Sequence, residues 1–170
     1  PSSTVQGLPL IAVGTTTHSG GGAQVIWACG DPTNVECWSS NDVNKVWGPA
    51  NGTLAGVSTD MTVYNGKENT EILYNLGDIY EAAYYCYKLT ETVEGQVPPE
   101  GKWYLPSYAE LLAGWQAQQD GEFSGVFINN AYVSSTEVLN GPNSFWVWLA
   151  QQQAPGQGYK PAANNVRCLR

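Results

Sequence analysis

Charged side chains are scarce in this sequence. They make up 13% of its 170 residues, and there is one histidine and one methionine. A helical bundle needs many Leu, Ala, Glu and Lys, and this is not that profile. Basic residues are the scarcest of the charged ones: seven Lys and Arg stand against fifteen Asp and Glu, a formal net charge of -8. Nucleic-acid affinity comes mostly from neutralising phosphates, so no nucleic-acid partner is expected. An anionic membrane surface or a highly sulfated glycan is disfavoured for the same reason. No apolar run reaches bilayer-spanning length, so no direct membrane insertion is expected. The chain begins at Pro1 rather than Met. It reads as a mature or trimmed piece, and export has to be argued from its cysteines.

The groups that carry chemistry are also few. No Cys-x-x-Cys pair occurs, and His18 alone cannot complete a Cys/His zinc set, so no metal or other cofactor is expected. An enzyme needs a nucleophile with a base, an acid/base pair or a metal set. Here only carboxylates remain. Asp120 and Glu122 are close in sequence but lie in a glycine-flanked turn, where solvated charges are ordinary. A non-enzymatic protein is expected.

Glycine (19), proline (10), tyrosine (10) and tryptophan (7) are plentiful. That composition describes a loop-rich domain with short strands. The length fits one domain over 1–170 with a real core, and neither an internal repeat nor a dividing linker is visible. "LPLIAV" and "AQVIWAC" read as strands. Residues 38 to 64 lack a sustained period and read as a long excursion held down by Trp38 and Trp47. Asn51-Gly52-Thr53 is a glycosylation sequon or simply a turn. In "NGKENTEILYNLGDIYEAAYYCYKL" the apolar positions recur near the helical period, with Gly77 as a kink or break. A second helix starts at Ser107, whose pairing with Glu110 is a capping-box signature. Strands follow in "GVFINNAYVSSTE", "SFWVWLA" and "NNVRCL". Alternation puts Trp146 and Trp148 on one face of the second, with Phe145, Val147 and Leu149 on the other. Both faces are apolar, so that strand is buried on both sides or offers one face to a ligand.

Four cysteines at wide spacing imply two disulfides and an oxidising compartment. Of three possible pairings, Cys29–Cys37 with Cys86–Cys168 is favoured. The first closes "CGDPTNVEC", whose Gly, Asp and Pro suit a turn. The second ties a helix to the C-terminus.

The order of "NGKENTEI", "AAYYCYKL", "WYLPSYAELLAGW", "AYVSSTE", an aromatic strand and a closing "NNVRCLR" resembles the DUF1566 family, the C-terminal domain type of the Legionella collagen-like adhesin. The resemblance covers about residues 60–170. It implies an α+β domain of C-type lectin-like fold, with two helices flanking a small antiparallel sheet and long irregular loops. It also supports the Cys86–Cys168 pairing. Val133 departs from the family's usual Trp. The Glu-Pro-Asn and Trp-Asn-Asp triplets of calcium-dependent sugar binding are absent, and "GPN" at 141–143 lacks the carboxylate, so no calcium is expected.

Tyr, Trp, Ser, Gly and Asn in the C-terminal third are materials of adaptable binding surfaces. The candidate ligand-binding residues are Tyr132, Asn140, Asn143, Phe145, Trp148, Gln153, Tyr159 and Asn164, on loops and strands between 130 and 165. The expected function is a recognition module, secreted or displayed on a cell or virion surface, that binds a protein or glycan. Related fold variants serve as variable proteins of diversity-generating retroelements, and the amide-rich segment 140–165 is a candidate for such variation. The alternative is a structural subunit or tip component of a pilus, fimbria or phage tail. The oligomeric state is not legible.

Overall fold

A computed structural model of the protein describes residues 2–5, 8–14, 17–20, 25–28, 43–89, 100–123, 125–128 and 130–170, the first two segments as backbone. Strands β1 (Ser2–Val5), β2 (Leu8–Gly14) and β3 (Val25–Ala28) form an antiparallel sheet in that order. After β4 (Val43–Val46) come the helices α1 (Gly66–Leu76), α2 (Glu81–Lys88) and α3 (Tyr108–Gln119). Four strands close the chain: β5 (Ala131–Val138), β6 (Gly141–Leu149), β7 (Ala154–Tyr159) and β8 (Ala163–Val166). The second sheet runs β4-β8-β5-β6-β7.

This is an α+β architecture, with two corrections to the expected layout. The described residues hold three helices, because the run from 65 to 89 is divided at Gly77. That residue sits at φ 122°, a backbone state that costs an L side chain dearly and glycine little. The second sheet is mixed, since β8 returns parallel to β5 through Tyr132 and Asn165.

A further correction concerns the amide-rich stretch between "SFWVWLA" and "NNVRCL", where no strand is expected. It holds β7 and leads into β8. Gly156 and Gly158 explain why so turn-rich a segment stays extended. They let β7 lie directly against the side chains of β6. A Cβ at Gly158 would meet Phe145 Cζ at 2.5 Å, and one at Gly156 would meet Leu149 Cδ1 at 2.8 Å.

Alternation along β6 distributes its side chains between two cores. Phe145 and Val147 join Val133, Val166, Trp47, Leu73 and α2 residues Ala82, Ala83 and Cys86. Trp148 joins Tyr132, Trp27, Tyr108 and Leu111, with Trp146 packed alongside. β6 is therefore buried on both sides, as the first of the two readings of its pattern has it.

The Ser107 capping box is formed. Ser107 Oγ accepts the Glu110 amide at 3.3 Å, and Glu110 Oε1 accepts the Ser107 amide at 3.2 Å. Cys86 and Cys168 are bonded, with Cα atoms 5.4 Å apart and both residues buried. Beyond the bridge, the last residues pair with β3: Ile26 and Arg170 exchange backbone hydrogen bonds at 2.9 and 2.8 Å. Leu169 does the same with Tyr104, both at 2.9 Å. The expected Cys29–Cys37 bond and the packing of Trp38 lie outside the described residues.

Candidate functional site

Three of the eight residues expected at a ligand surface are core residues instead. Tyr132 and Phe145 are fully buried and Trp148 is 5% exposed. Tyr132 Oη accepts the Ile128 amide at 2.7 Å, and its ring meets Phe127 edge-on at 5.2 Å. Phe145 stacks on Trp47 at 5.8 Å, and Trp148 packs against Trp115 at 5.9 Å. These rings have apolar neighbours on both sides of the sheet, so burial outweighs exposure for each.

The remaining five do not form one patch. Asn140, Gln153 and Tyr159 are exposed, and Asn143 and Asn164 are partly so. Asn140, Asn143 and Tyr159 gather where β5 turns into β6 and β7 ends, since Ser144 pairs with Tyr159. Gln153 lies at the opposite end, in the β6–β7 turn, with φ 51°. Asn164 is on β8, directly across from Lys45 of β4.

The structure assembles a different surface along β7. Pro155, Gln157 and Tyr159 are exposed, while the residues between them are half-buried. Their cross-strand partners are Trp148, Trp146 and Ser144, and cross-strand partners share a face. An outward row of Pro, Gln and Tyr thus borders the half-buried Trp146. Among the described strands β7 pairs with β6 alone, so its other edge carries backbone groups able to bond a partner. This face offers ring area and neutral hydrogen-bonding groups.

Glu137 and Lys160, which help hold this face in place, were not singled out from the sequence. Lys160 Nζ meets Glu137 Oε2 at 2.6 Å, with side chains 1% and 0% exposed. The Glu137 carboxylate also accepts the amides of Ala55 at 2.9 Å and Gly56 at 3.2 Å. Lys160 Nζ stands 4.7 Å from the centre of the Trp47 ring. Gly52 donates its amide to Asn143 Oδ1 at 2.8 Å, and Lys160 donates its own to the Asn143 carbonyl at 2.9 Å. Segment 47–58 is thereby sewn to the end of the sheet. A signal existed: Glu137 is a carboxylate inside an otherwise neutral strand, "AYVSSTEV".

The hydroxyls of that strand act as connectors. Thr136 Oγ1 accepts the Tyr108 amide at 3.0 Å, and Asn69 Nδ2 donates to Ser135 Oγ at 3.1 Å. Glu110 does more than cap α3. Its buried carboxylate accepts the Gly66 amide at 2.7 Å, the Ser19 amide at 2.9 Å and the Tyr104 hydroxyl at 3.1 Å. Burial, and then the Glu110 charge, raise the Tyr104 phenol above its ordinary range. Burial followed by the Glu137 charge raises Tyr80, and burial raises Tyr108. Asp120 belongs to the end of α3, where it accepts Gln116 Nε2 at 3.1 Å. Asn51 Oδ1 accepts the Thr53 amide at 3.2 Å and hydroxyl at 2.8 Å, a local turn within the sequon. Among the described residues no group of three or more His, Cys, Asp or Glu is placed to hold a metal ion.

No protein-family model matches the chain, and no curated protein does. Among solved structures it is similar in fold to a fimbrial protein from Bacteroides ovatus, with a TM-score of 0.53 and 16% identity. The match covers 85% of this chain and 35% of the fimbrial protein. This chain thus spans about a third of the length of that protein.

Proposed function

We propose that this chain is a domain of an extracellular fimbria-type assembly, acting as a structural subunit or tip component. The similarity in fold to a fimbrial protein over 85% of the chain carries the reading. The Cys86–Cys168 bond supports it, because such bonds persist in oxidising compartments. The finer assignment, a C-type lectin-like fold of the DUF1566 kind, rests on the sequence order and on helices packed about a sheet. No catalytic role is part of the proposal.

A second reading, recognition of a protein or glycan, is favoured by the exposed Pro155, Gln157 and Tyr159 row. Retroelement-driven variation would belong to this reading, and exposed positions such as Asn140, Gln153 and Tyr159 could accept it without repacking the core.

Immunoelectron microscopy of cells that make the protein, with antibody raised against this domain, tests the assembly reading. Label along or at the tips of surface filaments is the expected result. Label spread over the envelope without filaments would overturn it and leave recognition as the function.

A further inference from the structure

Away from the β7 face, α2 and β4 enclose an open cleft of about 420 Å³, within the roughly 300–1,000 Å³ range of ligand sites. Glu81, Tyr84, Tyr85 and Lys88 of α2 line it, with Lys45 of β4 and Asp78 from the turn before α2. The four helix residues stand at i, i+3, i+4 and i+7, one face of a helix. That face reads carboxylate, ring, ring, ammonium. Seven residues at 1.5 Å each put its charged ends about 10 Å apart. Asp78 adds a second carboxylate at the acidic end, and Lys45 faces the rings from the opposite wall.

The groups are positioned before any ligand arrives. Glu81 Oε2 accepts the Val46 amide at 3.2 Å, tying helix to strand. Lys45 Nζ stands 5.5 Å from the centre of the Tyr85 ring. Tyr84 stacks on Tyr74 at 5.2 Å, and Tyr74 on Tyr87 at 3.7 Å. Preorganised walls reduce the ordering cost of binding. Lys88 meets Glu100 at 2.7 Å, but both are well exposed at 42% and 48%. Such a surface pair is weak enough for an incoming carboxylate to share the ammonium.

Two ammonium and two carboxylate groups line the cleft, with both carboxylates at the start of α2 and Lys88, shared with Glu100, at its end. A simple anion would face Asp78 and Glu81, and a simple cation would face Lys45 and Lys88. A purely apolar ligand would strip water from four charges without replacing it, which is costly. The complementary occupant carries opposite charges about 10 Å apart with flat or apolar groups between them. A peptide extended as a polyproline II helix advances about 3.1 Å per residue with three residues per turn, so basic and acidic side chains three positions apart lie on one face roughly 9 Å apart. We infer that the α2–β4 cleft docks an extended, polyproline II peptide segment of a protein partner, with a Lys or Arg against Asp78 and Glu81 and an Asp or Glu against Lys88. This does not depend on the fimbrial reading, since such a segment could belong to a neighbouring subunit or to a bound protein.

The test is a titration of the whole chain with end-capped synthetic peptides, followed by NMR shifts of the Tyr84 and Tyr85 rings. The peptides place one Lys and one Glu from one to six positions apart, with Lys/Lys and Glu/Glu controls, and neutral monosaccharides serve as a second probe. Binding should be tightest near a spacing of three and should weaken as salt rises. Like-charged peptides should bind about tenfold more weakly or worse. Asp78→Lys and Glu81→Lys should each shift preference toward Glu/Glu peptides, a change that a merely structural role would not produce. Asp78 is exposed with a short reach into the fold, so it keeps the test open should Glu81→Lys disturb the bond to Val46. The inference is overturned by equal binding of like- and opposite-charged peptides, by ring shifts with monosaccharides alone, or by no ring shift with any peptide at millimolar concentration.

Discussion

Lys160 and Glu137 meet at 2.6 Å with neither side chain open to water, and they join the end of β7 to a segment that begins about a hundred residues earlier. A buried pair of this kind is poor evidence of net stability, because desolvation offsets most of the attraction. Removing one partner is a different matter, since the other charge stays buried. Lys160→Met should therefore cost about 3–5 kcal/mol, measured by urea unfolding. Adding Glu137→Leu should not restore the full loss, because the amides of Ala55 and Gly56 would lose their acceptor. Full recovery in the double variant would show that the carboxylate does not organise segment 47–58.

Non-reducing peptide mapping should recover Cys86 joined to Cys168. The bond closes a separation of 82 residues, for which chain entropy gives about 4.5 kcal/mol before native-state strain. Replacing both cysteines with alanine should lower stability by up to about that amount. The same map should show Cys29 with Cys37, and free thiols there would remove one of the two bonds expected from the sequence.

Strand β6 should be sensitive on both faces. Phe145→Ala and Trp148→Ala should each cost about 3–5 kcal/mol, the range for buried aromatics. Tyr159 is 57% exposed, and Tyr159→Ala should cost less than about 1 kcal/mol. Chemical denaturation of the three variants checks the ranking. A loss for Tyr159→Ala comparable to the other two would make the β7 row part of the core.

Alkaline pH should destabilise the protein. Tyr80, Tyr104 and Tyr108 are all raised in the folded state above the ordinary value of 10.0, chiefly by burial. Their stabilising contribution is present below the unfolded pKa. It is lost as pH rises past about 10, where the unfolded chain releases these protons first. Thermal midpoints should fall across that window, with phenolate absorbance from the buried rings appearing together with unfolding. Tyr104→Phe should flatten the decline, and an unchanged slope would remove Tyr104 from this account.

The sequence by itself determined features whose cause lies within a few residues. Ser107 and Glu110 are three positions apart, so their reciprocal bonds could be read directly. Gly77 marked a break because only its own φ was at issue, and the two-residue period of Phe145 to Leu149 assigned those side chains to opposite faces. The tertiary structure decided what each face meets. Tyr132, Phe145 and Trp148 looked suited to a ligand, yet they have Phe127, Trp47 and Trp115 as partners, and those lie up to 98 residues away along the chain. Glycine, glutamine and proline between 150 and 160 signal a loop locally. They form a strand because Gly156 and Gly158 fit under Leu149 and Phe145, and that space is created by the neighbouring strand. Lys160 and Asn164 are both polar residues near the end of the chain. One is buried and one is not, because Glu137 and the Trp47 ring close over the first, while β8 leaves the second beside Lys45 with solvent access.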